Sequence, residues 1–347
     1  MATIGNTYFN LIDYFRSLSP DGNSIDADMI EILMQLTPIV NDAVTISANQ
    51  GMQHIHSVRD TLPSVTWGRL YKGIPQSKSG RSQVTDATGF VEGLSTIDKR
   101  LLDLAGPKSD AVRLSEARGF LEAMCQEAER GVIYNDNTTT PEKFKGLAAR
   151  YNTLANGQVV DGGGVGADNT SIWFVTWAED LTALLTPEHI PSGLHREDKG
   201  EQRVLDGASA AYYVMEELFR WHLGVVTKDP RYNARIANID VSAALAGTVD
   251  LYGLMRSAYY KLQNRRQTKM VKPDGAANGN AATEGRTVIY MNRDMLEALD
   301  NLATNGGSSD NFVRLTPMEL EGKEVMSWRG LPIRETDALL KTEALVA

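Results

Sequence analysis

The sequence predicts an α+β fold. Three observations carry this reading. Strand-like and helix-like segments mix without regular βα alternation. One long helical pattern, residues 110–133, stands between β-type segments. A long, turn-rich hairpin pattern precedes that helix. No internal repeat is present, so the chain is not a solenoid or an array. With 347 residues, the chain is long enough for a large core and two domains.

The N-terminal part comes first. "SIDADMIEILMQLTP" puts Ile25, Met29, Ile32, Leu33 and Leu36 on one helical face, with Ser24 or Asp26 as the N-cap and Pro38 as the stop. Residues 1–50 hold six acids, Asp26, Asp28 and Glu31 among them, against Arg16 alone. Residues 56–85 reverse this, with Arg59, Arg69, Lys72, Lys78 and Arg81 against Asp60 alone. Opposite fields of this kind suit an acidic arm and a basic hairpin that meet on different copies of the chain.

Residues 52–94 predict that hairpin. "MQHIHSVRD" and "SVTWGRLY" alternate as strands, and "KGIPQSKSGRS" is turn-rich. Its apolar content, chiefly Trp67, Leu70 and Tyr71, is too low for an independent two-stranded unit. It needs a partner surface in the same chain or another.

From Asp110 to Ile133, Leu114, Ala117, Leu121, Met124, Cys125, Ala128 and Val132 repeat at helical spacing, a helix of ~35 Å at 1.5 Å per residue. Leu114, Leu121 and Met124 are its predicted core contacts, and Gly119 reads as a point of close packing. "SIWFVTW" predicts a buried strand. "AAYYVMEELFRWHLGVVTKD" and "YNARIANIDV" predict long strands joined at Asp229–Pro230. A second amphipathic helix follows through Leu245, Val249, Tyr252, Met255, Tyr259 and Leu262, then a mobile loop over 268–285. "RTVIYMNRDMLEALDNL" reads as strand then helix, before a polar loop and "VMSWRGLPIRETDAL".

Composition limits function. A net charge of −9 argues against a chain built to grip DNA. Cys125 is the only cysteine, so neither an internal disulfide nor a cysteine zinc site is possible. The N-terminus lacks secretory character, and no segment approaches the ~20 apolar residues of a membrane span, which predicts a soluble protein. "DGGGVGA" has dinucleotide-loop spacing but precedes a strand instead of a helix, so it reads as a flexible loop. His54 and His56 share a strand face and read as hydrogen-bonding histidines at the hairpin base, not metal ligands. "YNDNTTTPE" lacks the central Gly and final Glu of a calcium loop. The carboxylate pairs Glu216–Glu217 and Glu127–Glu129 read as solvated faces. No catalytic, metal or cofactor constellation emerges.

The ordered set "TLPSVTWGRLYKGIPQSKSGRSQVTDATG", "STIDKRLLDL", "RLSEARGFLEAM", "FKGLAARYN", "GGGVGADNTSIWFVTW", "DPRYNARIANIDVS" and "RTVIYMNRDMLEAL…WRGLPIRETDAL" covers most of the chain. It resembles the major capsid proteins of tailed bacteriophages, in the group of phage epsilon-fifteen and the Bordetella phage, with the Hong Kong ninety-seven-like fold. The resemblance implies an N-arm over 1–50, an extended E-loop over 51–95, a P-domain over 96–150 and 200–240 with the 110–133 helix as its spine, and an A-domain with connecting loops over 151–199 and 241–347. It implies no enzyme and no cofactor, but a non-enzymatic subunit that self-assembles into hexamers and pentamers of an icosahedral head around double-stranded DNA. Assembly in the host bacterial cytoplasm, a portal protein, a separate scaffolding protein, a possible cement protein, weak non-specific DNA contact and no membrane partner follow from the same likeness. So does maturation from a procapsid, with Gly119 and Gly73 as candidate hinges. The implied interface residues are Trp67, Arg69, Leu70, Tyr71, Lys72, Lys78 and Arg81 in the E-loop, and Ile25, Asp26, Asp28, Met29 and Glu31 in the arm. Lys72 and Lys78 show no specific sign of a covalent crosslink. The long strands precede the Gly-Leu-Pro segment here, the reverse of the commoner order, which predicts a permuted connection. An encapsulin-like compartment shell is the alternative with the same fold; a soluble enzyme is the alternative from another class.

Overall fold

The computed structural model describes residues 37–207, 209–263, 285–304, 316–320 and 323–347. Helix α1 (Pro38–Asp42) and strand β1 (Thr45–Ser47) lead into the hairpin strands β2 (Gln53–Thr61) and β3 (Gly80–Asp98). Helix α2 (Lys99–Ala105), the long helix α3 (Ser109–Tyr134) and the one-turn α4 (Leu147–Arg150) follow. Then come β4 (Val159–Asp161), β5 (Asn169–Trp177), β6 (Thr182–Thr186), β7 (Leu194–Leu205), β8 (Ala211–Thr227) and β9 (Ala234–Asp240). Helices α5 (Val241–Leu245) and α6 (Leu251–Lys261), strand β10 (Arg286–Met291), helix α7 (Arg293–Thr304), and strands β11 (Thr316–Leu320), β12 (Lys323–Trp328) and β13 (Leu331–Glu335) come last.

The strands join in one mixed sheet of order β11-β12-β13-β10-β5-β6-β8-β3-β2, with β9 also on β5 and β7 on β8. Its centre is covered on both faces. Trp173, Val175 and Trp177 of β5 join Val288 and Tyr290 of β10 beneath Met124, Ala128 and Val132 of α3. The alternate residues Ile172, Phe174, Ile289 and Met291 pack under Met255 of α6 and Met295 and Leu299 of α7. Two covered faces explain why "SIWFVTW" is apolar without alternation. Each fully buried side chain of this size contributes ~1.5–3 kcal/mol from removal of apolar area.

The α+β class and most of the long elements are as the sequence predicts; several details are not. "SVTWGRLY" forms no strand. The hairpin's second strand is β3, which pairs with β2 from Gly80 onward, whereas 62–79 has no neighbouring strand among the described residues to complete its backbone hydrogen bonds. Helix α3 rests on the sheet through Ala117, Met124 and Ala128, with Phe120 stacked on Phe219 at 5.6 Å. Met124 is buried as expected, but Leu114 and Leu121 lie on the exposed flank, 48% and 37% accessible. The close approach is not at Gly119, where a Cβ would meet nothing within 4 Å, but at Gly93 of β3, where it would lie 2.8 Å from the Phe120 ring. "DGGGVGA" is no free loop either: Gly162 and Gly164 donate to Ala237 O and Asn238 O at 2.8 and 2.7 Å, too close for side chains.

Glu217 and Glu129 are buried, not solvated. Glu217 accepts from Arg196 and pairs with Arg113 of α3, so that the helix is bolted to the β7–β8 hairpin. The amphipathic helix expected from Leu245 to Leu262 is shorter: α6 starts only at Leu251, where Asp250 caps it on Gly253 N at 2.9 Å, and Leu245 instead ends the separate helix α5, capped by Asp240 on Ala243 N at 2.8 Å. Residues 264–284, which hold nearly all of the predicted mobile loop, lie outside the described residues.

Candidate inter-subunit surface

β2 and β3 pair residue for residue from Gln53–Ala87 to Val58–Ser82, and the register shifts before Thr61 meets Gly80. Beyond that point every residue from 59 to 78 is exposed. Trp67 is 97% accessible and Tyr71 is fully so, with Leu62, Val65, Leu70 and Ile74 nearly as open. The internal bonds of this tip are few: Lys72 N donates to Arg69 O at 3.2 Å, and Ser77 Oγ to Ser64 O at 2.7 Å. Tyr71 sits at φ 62°, a left-handed conformation that is uncommon for a bulky side chain.

Arg69, Lys72, Lys78 and Arg81 lie exposed within residues 64–84, a stretch that holds no carboxylate. Aromatic, aliphatic and arginine side chains presented together match the composition of interface anchors. Six large exposed apolar residues on one loop, Leu62, Val65, Trp67, Leu70, Tyr71 and Ile74, exceed the scattered exposure of a finished surface.

Of the other residues singled out from sequence, Ile25, Asp26, Asp28, Met29 and Glu31 lie outside the described residues. Gly73 is in the open tip, with nothing near its Cβ position. Sequence reasoning missed Phe90 and Leu94, both about half exposed, on the face of β3 turned away from α3. The alternation in "GFVEGLSTID" was the available signal.

Residues 19–347 match the family described as major capsid protein GP7. The chain belongs to the major capsid protein GP7 family. The capsid structure of bacteriophage Epsilon15 is 29% identical, with TM-score 0.75, and the match covers 100% of this chain and 99% of that one. The Microbacterium phage Oxtober96 structure has TM-score 0.42 at 12% identity, covering 65% of this chain and 97% of its own. The holo-SrpI encapsulin complex from Synechococcus elongatus gives 0.38 at 13% identity over 58% and 86%. No curated protein matches. As a GP7-family protein the chain is a structural component of the phage virion capsid, built into a lattice of its own copies.

In this capsid protein the hairpin is no loose appendage. β3 runs without interruption through 19 residues, paired with β2 at its start and with β8 from Thr88 to Asp98. The tip is therefore carried on a strand that belongs to the body sheet. At its base Arg150 donates to Asp86 Oδ1 at 2.7 Å, to Val225 O at 2.9 Å and to Lys145 O at 3.2 Å, tying β3, β8 and α4 together. His54 and His56 lie side by side there, ring centroids 6.2 Å apart. Among the described residues, Nδ1 of His54 and both ring nitrogens of His56 are enclosed and have no partner, so His56 is not the hydrogen-bonding residue expected. Burial lowers both pKa values; Lys228 acts in the same direction and Asp86 opposes it.

Proposed function

We propose that this capsid protein builds an icosahedral head of hexamers and pentamers around double-stranded DNA, and that its hairpin tip is completed by a neighbouring subunit. In this reading residues 1–50 are the N-arm, 51–95 the E-loop, 96–150 and 200–240 the P-domain, and 151–199 with 241–347 the A-domain and connecting loops. The E-loop lies across the adjacent P-domain, where Trp67, Leu70 and Tyr71 lose water and Arg69, Lys72, Lys78 and Arg81 meet acids. The observation that carries this is the exposure of the whole tip, residues 59–78, beside a central sheet packed on both faces. A standard interface of ~1,600 Å² needs roughly 20–30 residues a side, about what an arm and a hairpin supply. Each contact is weak, and closed symmetry multiplies it around every ring.

The same reading assigns assembly to the host bacterial cytoplasm. It assigns a portal and a separate scaffolding protein as partners, a cement protein as a possible addition, and weak non-specific contact to packaged DNA. It includes the permuted connection. In support, the final residues 336–347 add no strand to the sheet beside β8 and β9; they run as an irregular segment against Asn238 and Leu154. Electron microscopy of the chain expressed alone tests the assembly claim. Shells, closed or misclosed without the scaffolding protein, or open lattices of repeated copies are the expected result, and a stable monomer at high concentration would contradict it.

A further inference from the structure

Glu129 of α3 stands where three parts of the chain meet. It is fully buried, and its Oε1 accepts from Ile39 N at 3.1 Å and from Thr336 Oγ1 at 2.9 Å. Ile39 is in the first turn of α1, and Thr336 follows β13. Oε2 has no partner. The titratable groups around it are Asp42 of α1, Asp337 after β13, Tyr290 of β10 and Cys125 on its own helix. The bases at this junction are already taken: Arg286 and Arg334 both pair with Asp42, at 3.3 and 3.2 Å. Among the described residues no basic side chain pairs with Glu129. A buried carboxylate with no cation, near two other carboxylates, is costly, whereas a carboxylic acid in the same place is tolerated.

We propose that Glu129 is a neutral carboxylic acid whose proton controls how firmly α1, the root of the N-terminal segment, is clamped to α3 and to the segment after β13. Burial is the main influence on its carboxyl, and Asp337 and Asp42 act in the same direction, raising the pKa to about 8 against the pull of the two hydrogen bonds. When α1 lifts, Glu129 meets water and titrates near its ordinary value of 4.5. Between these two values the open form holds fewer protons, so rising pH favours opening, by up to about tenfold per pH unit. Acid tightens the clamp and alkali loosens it. The clamp rests on the geometry of one chain and does not depend on how the hairpin is covered.

Hydrogen–deuterium exchange on the full chain tests this, with wild type and Glu129→Gln compared at each pH. Gln keeps the shape and the accepting oxygen but has no proton to lose. Relative to the variant, wild-type amides in 39–43 and 336–339 are expected to lose protection by roughly tenfold or more between about pH 6 and pH 8. Parallel profiles would overturn the proposal. Infrared difference spectra give a second readout that needs no variant. A protonated-carboxyl band should persist at about pH 7 and disappear by about pH 9; its absence at pH 7 would overturn the proposal even if the variant failed to fold.

Discussion

Arg235 and Glu343 form an ion pair at 2.8 Å with both side chains only 4% exposed. Arg235 sits on β9, and Glu343 is in the irregular segment after β13. The pair is fully engaged: Tyr134 and Ser171 donate to the Glu343 carboxylate, and Arg235 also donates to Tyr151 O at 2.9 Å and to Ser171 Oγ at 3.0 Å. The network pins the last residues to α3, β5 and β9 at once. Removing one partner leaves a buried charge alone, which typically costs 3–5 kcal/mol. Glu343→Ala should therefore lower the stability of the chain by about 3–5 kcal/mol, read from urea unfolding. A double change of Arg235 and Glu343 to apolar residues of similar volume should recover most of that loss. A loss for the double variant as large as for the single one would show that the charges themselves are needed.

Helix α3 separates residues that stabilise the chain from residues available to other molecules. Met124→Ala empties a packed site against the sheet and should cost about 2–5 kcal/mol. Leu121→Ser and Leu114→Ser alter the more exposed flank and should cost less, about 1 kcal/mol each. Thermal unfolding of the three variants checks the ranking. A Leu121 effect as large as that of Met124 would mean that the flank is covered within one chain.

That contrast also shows what periodicity can reveal. The spacing of Ala117, Met124 and Ala128 locates the helix and its seam, because any packed face must recur at that period. It does not give the width of the seam, which depends on a partner that lies elsewhere in the sequence. Leu114 and Leu121 fit the same stripe and still face outward, and the close approach that Gly119 suggests belongs to Gly93, on a strand read as part of the hairpin. β7 was hidden for a different reason. "LHREDKGEQRVL" is a strand paired, among the described residues, along one side only, where charge guards the open edge and apolar alternation is not needed. The hairpin tip was legible as a segment that cannot bury itself, from composition alone. Its lack of strand was not, because alternation in "SVTWGRLY" says nothing of whether a neighbour exists to pair with. Glu129 and Glu217 read as solvated acids because burial of a carboxylate depends on hydrogen-bond or ion-pair partners at long range.

The hairpin base should respond to acid. His54 and His56 are enclosed with unpartnered ring nitrogens, and their pKa values lie below the ordinary 6.5, chiefly through burial. Above 6.5 both the folded and unfolded forms are neutral, and the stability of this region is complete. As pH falls through 6.5 the unfolded form takes up protons first, so stability is lost. Exchange protection of 53–58 and 82–87 should drop between about pH 7 and pH 5 in wild type, and by less in a His54→Gln/His56→Gln variant. An equal drop in both would assign the acid response to other groups.

Trp67→Ala separates folding from assembly most sharply. The side chain is 97% exposed and touches no part of its own core, so the variant should unfold at the same urea concentration as wild type. Truncating a central aromatic anchor commonly costs an interface about 2 kcal/mol or more. That penalty recurs at every copy in a closed shell. Electron microscopy and sedimentation should therefore show a folded subunit that fails to form shells, or forms them only at much higher concentration. Arg69→Ala in the same tip should weaken assembly less, and more at low salt than at high salt, because an exposed cation acts through a field that salt screens. Normal shells from the Trp67 variant would move the contact away from the hairpin tip.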